Sequence, residues 1–307
     1  MATRTGSTHR SARIGLLQVC AAGVLWGTGG LVVTVLHSRD GLGAMTVSAW
    51  RTALAAIALV AFAVVTRRSG VVLATMRTHP VLAVLVGCGT ALYQGLYFGS
   101  VLLVGVSVAT VVSLGLAPIL AAVWEHAAAR SRPSMREAGV LAAALAGLVL
   151  ISATAGHGSP TPGNRPGLGL VLAVASGATY AATTVLGHTL AQRVDSVALT
   201  TCATAAGALA LLPFLATAAT AGQPVLPTDP ASLALLGYLG VATMALAYGL
   251  LYAGLRTTSG SAATVATLVE PLSAVLLAAL LLGERLTAPA LLGGALILAA
   301  VVALHRR

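Results

Sequence analysis

A few side chains that could do chemistry lie within long apolar stretches of this sequence. A glutamate followed by a proline, Glu270-Pro271, interrupts TLVEPLSAVLL (267–277), and Arg51 and Gln94 lie in two other apolar segments. A carboxylate in apolar surroundings favours its protonated, neutral form, so it can carry a proton. An arginine can bind a carboxylate through its planar fork of N–H groups. These residue types therefore suit the binding and movement of a small charged solute.

The composition indicates that a lipid bilayer surrounds these residues. The chain has 307 residues, of which 58% are hydrophobic and 8% are charged, whereas a soluble domain carries about 25% charged residues. A water-soluble fold of this length could not bury so much apolar surface. The cysteines Cys20, Cys88 and Cys202 lie in apolar segments without metal-ligand spacing. We therefore predict no metal site and no cofactor.

Ten apolar segments are long enough to cross a membrane as helices, for which about 20 residues are needed. They are residues 15–36, 43–66, 80–103, 106–128, 136–154, 167–190, 196–220, 231–254, 260–283 and 287–304. Ser134 and Glu137 form a predicted capping box before the fifth segment. Thr287 and Pro289 are typical of a helix start at the tenth. The predicted fold is an all-α integral membrane protein with ten transmembrane helices.

The arginines are distributed unevenly between the two ends of these helices. If the N-terminus is cytoplasmic, the inner segments hold 13 arginines and the outer loops hold 3, while Arg51 lies inside the second helix. The positive-inside rule then places both termini in the cytoplasm. It also accounts for the formal net charge of +10. No arginine cluster is interleaved with aromatic residues, so we predict no nucleic acid partner.

The chain repeats itself at an offset of 154 residues. SVATVVSL (107–114) resembles SAATVATL (261–268), and ALYQGLYFG (91–99) resembles ALAYGLLYA (245–253). Each half contains five helices, and because five is odd the second half enters the membrane from the opposite side. The prediction is therefore two inverted five-helix repeats, an architecture common in secondary transporters. The predicted parts are a cytoplasmic tail (1–15), a first repeat (16–154), an outer linker (155–166), a second repeat (167–304) and a cytoplasmic tail (305–307).

Six aromatic residues inside the predicted helices complete the candidate site. They are Trp26, Tyr93, Tyr97, Tyr180, Tyr248 and Tyr252. Trp26 lies too deep to be an interfacial anchor, and Tyr180 is its repeat counterpart. The other four form two pairs at four-residue spacing, which share a helix face but are one residue out of repeat register. We predict that the six, with Arg51 and Gln94, bind substrate, and the alternative is that the tyrosines only pack between helices.

Glu270, Pro271 and the related Pro118 are predicted to serve proton coupling or gating. A proline removes a backbone donor, and a broken helix beside a cavity can present backbone groups to a solute. The alternative for Glu270 is a structural ion pair with Arg51, beside a kink needed only for packing. The alternative for Arg51 is that its side chain extends to the outer interface.

Four features, in this order along the chain, resemble the EamA-type members of the drug/metabolite transporter superfamily. They are Trp26-Gly27 in the first helix, Arg51 in the second, Glu270-Pro271 in the ninth and GERLT (283–287) before the tenth. The resemblance spans nearly the whole chain and implies an inner-membrane carrier that exports amino acids or other small metabolites. The chain departs from the family's pattern in LVVTVLHS, which lacks a basic residue, and in SRPS, which replaces the first GER-like junction.

The residues and the resemblance together predict a secondary transporter of the cell (inner) membrane that works by alternating access, with proton coupling through Glu270. Its predicted partners are a small-molecule substrate and the lipid bilayer, and a homo-oligomer is left open. The alternatives are a drug or lipid carrier and a non-transporting structural or sensory protein. An enzyme is not predicted, because the sequence has no nucleophile–base arrangement. WGTGG (26–30) has neither a preceding strand nor a following lysine, so we predict helix packing for it rather than phosphate binding.

Overall fold

The computed structural model describes residues 3–104, 106–154, 165–282 and 287–305, and this part of the chain is helical without strands. The helices are α1 (Thr3–Asp40), α2 (Ala44–Val65), α3 (Ser69–Thr78), α4 (Pro80–Val104), α5 (Val106–Ala128), α6 (Met135–Thr154), α7 (Pro166–Ala191), α8 (Ser196–Thr220), α9 (Pro230–Tyr238), α10 (Ala247–Gly254), α11 (Gly260–Ala266), α12 (Val269–Leu282) and α13 (Ala288–His305). Most of the predicted linker lies outside the described residues, as do Glu284 and Arg285.

All ten predicted segments are helical, which confirms the predicted fold class. In the described residues, nine spans from Arg13–Asp40 to Gly260–Leu277 are long and apolar enough to cross a membrane, and Ala288–Leu304 is a shorter apolar helix. The predicted start signals are also confirmed. Ser134 and Glu137 form the capping box, and the Thr287 hydroxyl accepts from the Ala290 N–H at 3.4 Å.

Three features of the helices differ from the prediction. α1 is longer than the predicted 15–36, and α3 lies where the sequence indicated only a loop. The eighth membrane span is α9 and α10 joined by a π-helical segment, Leu239–Leu246. The ninth is broken between α11 and α12. The π-helical segment and the break in the ninth span both arise from altered backbone hydrogen bonds. The spacing of apolar residues in the sequence does not reveal such changes.

The helices pack across the two repeats in a symmetric pattern. α4 and α5 of the first repeat lie against α7, and their counterparts α10, α11 and α12 lie against α1. The α2–α8 and α6–α13 pairs each join helices that occupy the same place in the two repeats. Every major contact between the repeats therefore has a counterpart, as two inverted repeats require.

Glycines allow two close helix contacts that the repeat relates to each other: that of α1 with the break between α11 and α12, and that of α7 with α5. A Cβ added to Gly23 would lie 3.3 Å from the Thr267 carbonyl oxygen, and a Cβ added to Gly177 would lie 2.6 Å from that of Ser113. Both members of the first contact are related to those of the second by the 154-residue offset. Close approach of helix backbones through small residues is a usual source of helix association in lipid.

One end of the bundle, which we call the arginine-rich face, is where α2, α5, α7 and α10 end and α4, α6, α8 and α11 begin. The arginines beside these helix ends are Arg67, Arg68, Arg130, Arg132, Arg136, Arg193 and Arg256. A buried apolar cluster lies on this side and joins both repeats, with Val19 and Ala83 from the first and Leu190, Leu255 and Ala266 from the second. The bundle is therefore packed between the arginine-rich face and its middle where these helices meet.

Candidate functional site

The break in the ninth membrane span places Glu270 at the start of a helix in the middle of the bundle. α11 ends at Ala266 and α12 begins at Val269. The Glu270 N–H donates to the Thr267 carbonyl at 2.9 Å, three residues back instead of four. Pro271 has no N–H with which to continue the α-helical pattern. Glu270 thus lies in the first turn of α12 and is half-buried.

Arg51 of α2 is held from α4 by Gln94. The Arg51 Nη2 donates to Gln94 Oε1 at 2.9 Å, and Gln94 is only 3% exposed. The Arg51 Nε is buried and has no hydrogen-bond partner within the described part of the chain. The guanidinium therefore points into the bundle, toward an interior side chain, rather than to the membrane interface.

Arg51 and Glu270 interact electrostatically. They do not form a contact ion pair, because the ion pairs found among the described residues are those of Arg68 with Asp195 and His126 with Glu137. The structure therefore does not contain the alternative that the sequence left open, a structural ion pair between Arg51 and Glu270 that would lock α2 to α12. The two charged groups share a region of the bundle interior and remain apart.

Two aromatic pairs lie beside these charged groups and are related by the repeat. Trp26 of α1 meets Tyr248 of α10 edge to face at 5.1 Å, and Tyr180 of α7 stacks on Tyr93 of α4 at 4.9 Å. Glu270 lies in the same part of the bundle interior as Tyr93, Tyr180 and Tyr248. The carboxylate therefore lies near both pairs, and the site, with Arg51, is built from six membrane spans of both repeats.

The π-helical segment positions the Trp26 ring. The indole Nε1 donates to the Thr243 carbonyl, which lies in this segment, at 2.8 Å. A π-helical turn contains an additional residue. This accounts for the offset of Tyr248 from Tyr93, which is 155 residues instead of 154. A signal for this insertion was visible in the sequence, because both tyrosine pairs are one residue out of repeat register, but nothing in the sequence identified Thr243.

Threonines orient two of the tyrosines. The Tyr180 hydroxyl donates to Thr267 Oγ1 at 3.2 Å, beside the helix break. The Tyr97 hydroxyl and Thr110 Oγ1 are 2.8 Å apart. Tyr97 also lies 6.2 Å from the Tyr93 ring, so it extends the aromatic wall along α4.

Tyr252 lies at the buried edge of the site, where it lines a small pocket with Gln94 and Tyr248, whereas Pro118 lies apart from the site. Tyr252 is 2% exposed, and its ring lies 2.9 Å from a Cβ added to Gly187, so it packs beneath the site in the buried cluster. Pro118 lies within the continuous helix α5 and lines a separate cavity of about 540 Å³ at the arginine-rich face. The predicted break at Pro118 does not occur, because packed neighbours allow a membrane helix to continue through a proline.

Gly27 brings α1 directly against the first turn of α12. A Cβ at this position would lie 2.6 Å from the Glu270 carbonyl oxygen, which no side chain permits. The predicted helix-packing role of WGTGG is confirmed at this glycine. At Gly30, in the same motif, an added Cβ would meet no described atom within 4 Å.

Comparison with known proteins agrees with this architecture. A sequence model of the EamA-like transporter family matches residues 13–153 and, a second time, residues 167–305. No curated protein matches the chain. A solved structure described as "Crystal structure of protein" is 19% identical, with a TM-score of 0.77 over 94% of this chain and 95% of that chain. At this identity the likeness concerns the fold alone. Because the family matches each repeat in turn, the chain belongs to the EamA-like transporter family and is a multi-pass membrane transporter of the drug/metabolite type.

Proposed function

We propose that this transporter exports amino acids or other small zwitterionic metabolites by alternating access, with the substrate bound between the repeats. The observation that carries the proposal is the separation of Arg51 and Glu270, two opposite charges in one apolar interior that do not neutralise each other by contact. A charge in mid-membrane costs about 2.5–3.5 kcal/mol on insertion scales, so a functional role is the default explanation. A zwitterion is the ligand class that satisfies both charges together.

Each of the two charged side chains suits one end of a zwitterionic substrate. The Arg51 fork keeps its Nε free of partners in the described chain and can receive a substrate carboxylate. Glu270 can accept a substrate ammonium group, and the faces of Trp26 and Tyr248 add a cation–π attraction. Gln94 holds the guanidinium in place and limits its rotation before the substrate arrives.

Proton coupling follows if Glu270 holds either a proton or the substrate ammonium, but never both. Protonation would then release the substrate, and loss of the proton would prepare the site for the next molecule. The half-buried position of Glu270 beside a broken helix supports this exchange, because water or solute can reach the carboxyl group.

The arginine distribution supports the orientation that we propose. The arginine-rich face lies toward the cytoplasm of the inner membrane, and so do both termini. In this orientation α1 leaves the cytoplasm first and α13 returns to it.

Thermal unfolding of the purified protein with candidate solutes tests the proposed substrate class. The panel contains amino acids, nucleosides, organic cations and polyamines, and a ligand that binds the folded state raises Tm with occupancy. We expect amino acids to stabilise the wild type and Glu270→Gln to weaken that effect. Glu137→Gln is the matched control, because a capping box accepts either side chain. Stabilisation by lipophilic cations without any response to zwitterions would overturn the proposed substrate class.

A further inference from the structure

A second carboxylate, outside the candidate site, joins the two repeats at the arginine-rich face. Glu125 lies near the end of α5 in the first repeat, and Ser261 lies in the first turn of α11 in the second. The Ser261 N–H donates to Glu125 Oε1 at 3.0 Å, and the Ser261 hydroxyl donates to Glu125 Oε2. Charge-assisted hydrogen bonds of this kind are about twice as strong as neutral ones.

These bonds act on the helix that leads to the candidate site. α11 runs from Ser261 to the break that precedes Glu270. Between them, Val265 is 4% exposed, Ala266 is 0% exposed and Leu268 is 1% exposed. Glu125, Ser261 and Val265 line the cavity of about 540 Å³ at the arginine-rich face, so the closed layer between that cavity and the site is formed by Ala266 and Leu268.

The repeat position that corresponds to Glu125 carries no carboxylate. The positions that correspond to Glu125 at offsets of 153 and 154 residues are Ala278 and Ala279. The bonds that Glu125 makes to Ser261 therefore cannot form from the corresponding positions at the opposite face. A contact present in only one of two conformations shifts their populations toward that conformation.

We propose that Glu125 is a latch: its hydrogen bonds to Ser261 stabilise the conformation that is closed at the arginine-rich face, and they break when that face opens. This inference rests on the proposed alternating access and concerns the regulation of the same site. Loss of the latch allows water and solute to pass beyond the cavity and reach Ala266 and Leu268 more often.

Other polar groups at this face hold different helix pairs. The partly exposed ion pair of Arg68 with Asp195 joins the end of α2 to the start of α8. His126 Nδ1 lies 2.9 Å from Ser131 Oγ and its Nε2 lies 3.7 Å from Glu137, contacts that remain inside the first repeat. Arg136 Nη2 does cross to the second repeat, donating to the Ala303 carbonyl at 2.7 Å. That bond joins α6 to α13, which also meet where a Cβ added to Gly147 would lie 2.5 Å from the Gly293 carbonyl oxygen. The α6–α13 pair is thus held by backbone packing, and Arg136 is a matched control for Glu125.

The rate at which a buried reporter thiol reacts measures opening of this face. The background protein carries alanine at the three native cysteines, and Ala266→Cys supplies the reporter at a position that is fully buried and does not line the cavity. The protein is placed in lipid nanodiscs and reacted with a charged, water-soluble maleimide. Met135→Cys, at a position 90% exposed on the same face, serves as the fully accessible reference.

We expect Glu125→Ala to speed reporter labelling by about tenfold or more, the effect of losing hydrogen bonds to a charged group. Glu125→Gln keeps one acceptor for the Ser261 N–H and gives a smaller increase, so it also tests the latch if the alanine variant does not fold. Arg136→Gln and the Met135→Cys reference should show unchanged rates.

Equal labelling in wild type and both Glu125 variants would overturn the latch, as would equal acceleration by Arg136→Gln. The readout needs no substrate. Faster labelling in a protein that moves no zwitterion would therefore retain the latch and reject the proposed substrate class, and the reverse result would reject the latch alone.

Discussion

Gln94 holds Arg51 inside the bundle, and Glu270 lies apart from Arg51 in the first turn of α12. Arg51 and Glu270 were identifiable because a charged side chain within an apolar segment needs a reason to be there. Their separation could not be predicted, since it depends on how α2, α4 and α12 pack. The Arg51–Gln94 hydrogen bond at 2.9 Å shows that the guanidinium has an interior partner other than Glu270.

Gln94→Leu should destabilise the protein by about 1–3 kcal/mol, because it leaves a buried charged donor without its acceptor. Thermal unfolding in detergent measures the loss. The double variant Arg51→Met with Gln94→Leu should lose less than the sum of the single changes, as expected for two groups in contact. Additive losses would show that the two side chains do not depend on each other.

Glu270→Gln should remove the proton-carrying group while preserving the shape of the side chain. In proteoliposomes, we expect a pH gradient to stop driving accumulation of substrate, while exchange of labelled for unlabelled substrate continues. Glu137→Gln is again the control, since Glu137 caps α6 away from the site. Gradient-driven accumulation that survives in Glu270→Gln would assign the coupling to another group.

At the scale of helices, most helix boundaries could be predicted from the sequence, whereas the interruptions inside the eighth and ninth membrane spans could not. Apolar segments end at capping and turn residues, which have recognisable side chains. The π-helical segment Leu239–Leu246 and the break before Val269 arise from altered backbone hydrogen bonds within apolar sequence. α3 was missed because it is a short helix of 10 residues outside the membrane spans.

Gly27→Ala should impair folding or transport far more than Gly30→Ala. The added methyl at Gly27 would meet the Glu270 carbonyl oxygen at 2.6 Å, so α1 must move away from α12, whereas at Gly30 it would meet no described atom within 4 Å. We expect a Tm several degrees lower for Gly27→Ala, as for other overpacked contacts, and little change for Gly30→Ala. Similar Tm values for the two variants would contradict the close contact of α1 with α12.

At the scale of the whole molecule, the fold is symmetric and its polar groups are not. The repeat was predictable because the 154-residue offset survives in several helices. The sequence could not show which helices adjoin, and so it could not show that Trp26–Tyr248 and Tyr93–Tyr180 form equivalent pairs. Arg51, Gln94, Glu270 and Glu125 break this symmetry. We infer that the repeats supply the two conformations and that these residues determine what is carried and which conformation is favoured.

The most direct test of the account is solute exchange by the purified protein in liposomes, with labelled amino acids outside and an excess of unlabelled ones inside. The account predicts uptake above that of empty liposomes, and a loss of at least about tenfold for Arg51→Gln, since this change removes a charge-assisted contact to the substrate carboxylate. The same loss is not expected for Arg136→Gln, whose guanidinium is exposed at the arginine-rich face. Uptake equal in wild type and Arg51→Gln would contradict a substrate site between the repeats at Arg51 and Glu270.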